Sequence, residues 1–165
     1  MNLSALPRGG ELGQALGTVT GKYYQLIQLD SGATSATGTG LVVAGDLAFW
    51  KDKTSYLVTN DIAQAQAAES SSQNSKRNMV AGVFTAALTP AYFGVIQQQG
   101  YNAAVKSDGG GDFVSGDYAI AANTTASDID RTAAGTAPPN TPVGIVAAAE
   151  SGGFTALWLN LPVVP

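Results

Sequence analysis

The stretch NMVAGVFTAALTPAYFGVIQQQG, residues 78–100, decides how this chain is read. It holds two runs rich in β-branched and aromatic residues, Met79 to Phe84 and Tyr92 to Gln98, with Pro90 between them. Proline has no amide hydrogen to give a sheet ladder, so it belongs in the connection and the two runs read as strands. YNAAVK, residues 101–106, reads as their continuation.

Working outward, KYYQLIQL from Lys22 has the content of a strand and ends in DSGATSATGTG, a turn-forming stretch. LVVAGDLAFW (41–50) gives two short apolar pieces around a bend at Gly45-Asp46, and TSYLVT (54–59) gives another strand. NDIAQAQAAESSS (60–72) is the one helical candidate, with Asn60 or Asp61 as its cap. SSSQNSKRN reads as a loop. Downstream, SDGGGDFVSGD (107–117) is a Gly-rich loop, YAIAAN (118–123) a short strand, and TASDIDRTAAGTAPPNTP (125–142) a long loop. VGIVAAA and FTALWLNLPVVP close the chain as two strands around the turn ESGG. This predicts an all-β domain, a barrel or a sandwich, of about nine to eleven short strands. Residues 1–17, with Pro7 and four glycines but no sustained period, read as an extended arm, leaving 18–165 as a single β-rich domain.

Composition agrees. The 165 residues are 45% hydrophobic and only 12% charged, with 20 glycines and 7 prolines, the profile of one turn-rich globular domain. Net charge is -4 and the eight Lys and Arg are scattered, whereas a nucleic-acid surface needs a basic stripe to neutralise phosphates. No nucleic-acid partner is expected. Cysteine and histidine are absent, which removes disulfides, thiolate nucleophiles, Cys/His zinc sites and His-dependent general bases. The N-terminus lacks an apolar run of signal-peptide length, and no stretch approaches a membrane span, so the chain is expected to begin at Met1 or Asn2 in a cytoplasm with no membrane partner. A shell of Ala, Ser, Thr and Gly leaves methyl groups and backbone available for flat, close contact with neighbouring molecules.

Three constellations could carry chemistry. LDSGAT, around Asp30, has the letters of a retropepsin-like aspartic protease loop, in which each subunit of a dimer supplies one carboxylate to a proton-sharing pair. The second hallmark of that class, two large apolar residues before a late Gly, is only imitated by PVGIV (142–146), and no flap is evident. The competing reading makes Asp30 an Asx-turn residue in a Gly-centred hairpin loop. Asp108, Asp112 and Asp117, and the pair Asp128 and Asp130, lack the alternating oxygen ligands and closing Glu of a calcium loop, so a solvated loop is preferred and no metal or cofactor is expected. Trp50, Trp158, Tyr23, Tyr24, Tyr92 and Phe93 could stack sugars in a carbohydrate- or receptor-binding β-module, but aromatics at strand positions are more often core or interface.

NMVAGVFTAALTPAYFGVIQQQG also resembles the central segment of the head decoration, or capsid cement, proteins of tailed bacteriophages: a V-A-G-V-F-like strand, a T-P-G-like turn and an aromatic strand ending in IQ and Gly. AGDLAFW, FVSGDYAIAA, AAGTAPPNTPVGIVAAA and ALWLNLPVVP resemble further pieces in the same order, over roughly residues 40–165. The sequence departs at Ala91, where the family pattern tends to carry Gly. The resemblance implies a small β-rich barrel or tulip-like module without catalysis. It also implies binding to the major capsid protein on the capsid exterior, commonly as a homotrimer, with a dimer as the other possibility. The expected location is the virion, and the host cytoplasm during assembly. The arm, and in it Leu3, Leu6, Pro7 and Leu12, is the expected capsid contact by draping or strand addition.

Overall fold

Five consecutive small, branched or aromatic residues, Val80–Phe84, form a strand in which every residue is buried. A pleated strand alternates faces, so it is buried throughout only when both faces are covered. That requirement organises the chain. The structure, a computed structural model, describes residues 21–33, 42–66, 76–110, 112–122 and 127–162. The predicted arm, with Leu3, Leu6, Pro7 and Leu12, lies outside the described residues, as do 34–40 of the DSGATSATGTG stretch, Leu41 and 67–72 of the predicted helix.

Nine strands occur among the described residues: β1 (Tyr23–Leu29), β2 (Leu47–Asp52), β3 (Leu57–Thr59), β4 (Val80–Phe84), β5 (Phe93–Lys106), β6 (Tyr118–Ala121), β7 (Ile129–Thr132), β8 (Gly144–Ser151) and β9 (Phe154–Asn160). The domain is all-β, as the sequence predicts. Strands β1, β3, β2, β4 and β5 lie side by side, and β1 pairs again with β5 to close a five-stranded barrel. Among the pairings of these nine strands, β1 with β3 is the parallel one. β5 is 14 residues long; residues 93–99 pair with β1, and residues 99–106 pair with β9. From β9 the sheet continues through β8 and β6 to β7. β5 is therefore the wall shared by the barrel and a second sheet.

A barrel of five strands is narrow, because diameter grows with strand number. Its filling is correspondingly small at several positions: Ala48, Ala81 and Val58 pack with Ile27, Leu29, Trp50, Phe84 and Ile96. A Cβ at Gly82 would stand 2.8 Å from the Gln97 carbonyl oxygen and 2.9 Å from Ile96 Cδ1. No side chain fits there. The second core lies between the barrel's outer face and the second sheet, where Leu47, Phe49, Val80 and Val83 meet Val105, Ala119, Ile129, Val146, Leu157 and Leu159. The partners of Ala48 and Phe49 jump from Gly82 to Val80, so Ala81 is the extra residue of a bulge that lets VAGVF serve both cores.

Four expectations need correction. DSGAT does not open a hairpin, because β1 flanks β3 and β5 and not the next strand in the chain; it begins a crossover. The strand expected over 54–59 is only Leu57–Thr59. The Asp52 carboxylate takes the Thr54 amide at 2.9 Å and the Thr54 and Ser55 hydroxyls at 2.7 Å each, and this turn consumes the first residues. The predicted helix is, where described, a 3₁₀ turn, Ile62–Gln64, capped by Asp61 through the Ala63 amide. The long loop expected over 125–142 contains β7, whose Asp130 and Arg131 disguise an edge strand. Charges at such a position discourage pairing with other chains.

Candidate functional site

Asp30 follows β1 and is buried. Its Oδ2 accepts the Gly32 amide at 3.1 Å, and its carbonyl accepts the Ala33 amide at 3.1 Å, the Asx-turn arrangement. Lys51 Nζ stands 2.7 Å from the same Oδ2. A proton-sharing dyad needs a second carboxylate at that place, and what meets Asp30 here is an ammonium. Two of the three acids of the Gly-rich loop, Asp112 and Asp117, are also engaged with a cationic side chain, while Asp108 Oδ1 accepts the Gly110 amide at 3.2 Å. Arg131 Nε lies 2.8 Å from Asp112 Oδ2, and its Nη1 lies 3.1 Å from Asp117 Oδ2. Asp117 also takes the Val114 and Ala134 amides; burial pushes its carboxyl up, but these amides and Arg131 outweigh that and hold it below the ordinary value. Among the described residues no cluster of three or more His, Cys, Asp or Glu could hold a metal ion.

The two tryptophans separate completely. Trp50 is 2% exposed, in the barrel with the Tyr56 ring edge-on at 6.3 Å; as a ligand-stacking residue it is ruled out by burial. Trp158 is 57% exposed. Along β9, Leu157 and Leu159 point into the second core while Trp158 points out, the alternation of a strand with one free face. Register then places Tyr101 of β5, Trp158 of β9, Ile145 of β8 and Tyr118 of β6 side by side. At the usual strand spacing this row spans about 14 Å.

Tyr101 is 37% and Ile145 46% exposed. The Tyr101 and Trp158 rings are 5.3 Å apart and inclined at 60°, and Lys22 Nζ stands 6.0 Å from the Tyr101 ring. Gln99 and Asn160 form the adjacent row. Beside Lys22 the outer face of β1 and β5 carries a shallow depression of about 330 Å³ lined in part by Lys22, Tyr24, Gln97 and Asn102. Tyr92 and Phe93, at 64% and 55% exposure, form a separate apolar point at the start of β5. Sequence reasoning named Trp158 but missed Tyr101 and Ile145. The signal was available in L-W-L-N, whose phase fixes which residues of β9, and then of its neighbours, face outward.

A buried charge cluster lies at the junction of the two cores. Lys106, the last residue of β5, has its Nζ 3.0 Å from Asp128 Oδ1 and 3.6 Å from Asp46 Oδ1. Burial pushes the Asp46 carboxyl above its ordinary range against the pull of the Val43 amide and Lys106. Asp128 is likewise raised by burial, opposed by Lys106 and reinforced by Asp46 and Asp108. On Lys106 burial acts downward, but the two carboxylates outweigh it and raise the ammonium. Sequence reading paired Asp128 with Asp130; the fold separates them, sending Asp130 toward Arg77 at 4.0 Å.

No family model, curated protein or solved structure matches the chain.

Proposed function

We propose that this chain is a non-enzymatic virion protein that binds the outside of a tailed-phage head and cements neighbouring major capsid protein subunits. The observation that carries the reading is the row of Tyr101, Trp158 and Ile145, exposed on a sheet whose other face is packed core. Aromatic groups in solvent on a rigid sheet suit a flat protein contact, in which they become the desolvated centre and amides such as Gln99 and Asn160 the polar rim. The Ala- and Gly-rich remainder of the surface allows close approach. The ordered resemblance of residues 40–165 to decoration proteins names the partner, and it carries the expectation of trimeric or dimeric assembly with copies of itself. Repetition over a closed shell turns a modest contact into high avidity. In this reading residues 1–17, with Leu3, Leu6, Pro7 and Leu12, add a second contact. The test is the temperature at which expanded heads of the parent phage release DNA. Coating with the protein raises it, Trp158→Ala abolishes much of the rise, and deletion of residues 2–17 reduces it while leaving the domain's own melting nearly intact.

One observation favours a second reading, a carbohydrate- or receptor-binding module displayed on the virion: the aromatic pair adjoins the depression containing Lys22, Gln97 and Asn102. Against it, rings inclined at 60° do not offer the common plane on which consecutive sugar rings stack. Binding on a glycan array that Trp158→Ala removes would favour this reading over cementing. The protease reading has the simplest discriminator: Asp30→Asn leaves head binding intact in the first reading and ends all cleavage in a protease.

A further inference from the structure

We propose that Lys106 and Asp128 condense spontaneously into an intramolecular isopeptide bond, with Asp46 as the acid that assists the reaction. The inference is independent of the capsid reading. It starts from three segments locked around one point. The Lys106 amide donates to the Gly45 carbonyl at 3.0 Å, the Leu47 amide to Ser127 at 2.7 Å, and the Asp108 amide to Ile129 at 3.0 Å, while Ser107 bridges Ile129 in parallel. These bonds fix the backbones from which the three side chains converge, with Nζ 3.0 Å from Asp128 Oδ1. Nucleophile and acceptor are therefore in place before any chemistry, which is where most of the advantage of an intramolecular reaction arises.

Burial favours the neutral form of the two carboxyls, while the carboxylates favour Lys106 as the ammonium from which the reaction must start. The Asp128 and Asp46 side chains are 5% and 3% exposed, against 22% for Lys106. Nζ stands 3.0 Å from Asp128 Oδ1 and 3.6 Å from Asp46 Oδ1, and apart from Lys106 neither oxygen has a hydrogen-bond partner. Two carboxylates against one ammonium leave a net buried negative charge, and burial raises both carboxyls toward the protonated form. A buried ion pair carries a desolvation cost that a neutral amine and carboxylic acid escape.

The step balances without an outside reagent. In the reactive form Asp46 carries a proton; one further proton passes from the Lys106 ammonium to Asp128, giving an amine and two carboxylic acids. The nitrogen lone pair attacks Asp128 Cγ while Asp46 donates a hydrogen bond to its carbonyl oxygen. The remaining surplus proton on nitrogen passes by way of Asp46 to the departing hydroxyl, the C–O bond breaks, and one water leaves. Nothing is oxidised or reduced. The product removes both charges and ties the end of β5 to the start of β7, constraining the unfolded chain as a disulfide would in a sequence that has no cysteine.

The test is the intact mass of the purified full chain under denaturing conditions, followed by peptide mapping. The expected mass is one water below that of the sequence, with a branched peptide joining Lys106 to Asp128; Lys106→Arg and Asp128→Ala each restore the full mass. Asp46→Asn is expected to slow the reaction at least about a hundredfold, the usual scale of acid–base assistance. Full mass in the wild type overturns the proposal, and this reading does not depend on any variant folding. Succinimide formation at Asp108-Gly109 would lose the same mass; a loss that persists in Lys106→Arg and maps there also overturns it. An Asp46→Asn chain that crosslinks at the wild-type rate overturns the role of Asp46.

Discussion

Ala91 holds φ at 69°, the left-handed region that costs a residue with a Cβ about 1–2 kcal/mol. It is the third residue of a turn in which the Tyr92 amide donates to the Thr89 carbonyl at 3.1 Å, while the Ala91 amide and Tyr92 carbonyl hold the turn against Leu29 of β1. Proline second and a positive φ third are the marks of a type II turn, where Gly is preferred. Ala91 is also where the sequence departs from the decoration-protein pattern, and the backbone keeps the shape that Gly would take. Ala91→Gly is expected to stabilise the domain by about 0.5–1 kcal/mol, relief of strain exceeding the added freedom of the unfolded chain; urea unfolding measures it. The tryptophans give a second prediction at this scale. Trp50→Ala removes the largest side chain of the barrel and costs about 3–5 kcal/mol. Trp158→Ala changes stability by no more than about 0.5 kcal/mol, and abolishes the tryptophan fluorescence that iodide quenches readily. Composition could not tell the two apart. What separates them is phase: Trp50 follows Phe49 in a strand covered on both faces, whereas Trp158 sits between two inward leucines.

Among the elements, β5 decides the architecture, and its midpoint is Gly100. With φ at 88°, a Cβ there would run into the Gly21 and Lys22 backbone, at the place where the strand leaves the barrel and joins β9. Gly100→Val is expected to cost about 2–4 kcal/mol, adding backbone strain to overpacking, and to lower amide-exchange protection in β1 and β9 together. The loop of residues 112–117 makes a prediction in pH. Because Asp117 is held below its ordinary value of 3.8, its contribution is fully present above that pH and lost as pH falls through the lowered value. Asp117→Asn should therefore be less stable than wild type at pH 6, with the gap closing below pH 3.8; unfolding curves across that range check it. Most strands were legible from the sequence, because β-branched and aromatic runs between turn residues carry their own signal. β7 was not, since IDRT pairs only two inward residues with two edge charges. The Asp30 turn was legible from local chemistry, but its crossover was not, because the pairing of β1 with β3 and β5 depends on residues far away in the chain. The Lys106 cluster draws on residues 46, 106 and 128, and no local pattern could have joined them.

For the whole molecule, the barrel and the second sheet are joined through β5 and packed across the second core, and that frame holds Tyr101, Trp158 and Ile145 in an outward row. Such packing suits a protein repeated over a lattice, since each copy then loses little conformational freedom on binding. In the proposed function this frame binds the exterior of a phage head. Cosedimentation of the purified protein with expanded, undecorated heads of the parent phage tests it most directly. Saturable binding at a fixed ratio to the major capsid protein, greatly weakened by Trp158→Ala, is the expected result; well-formed heads that pellet without the protein at every concentration would rule the cementing role out.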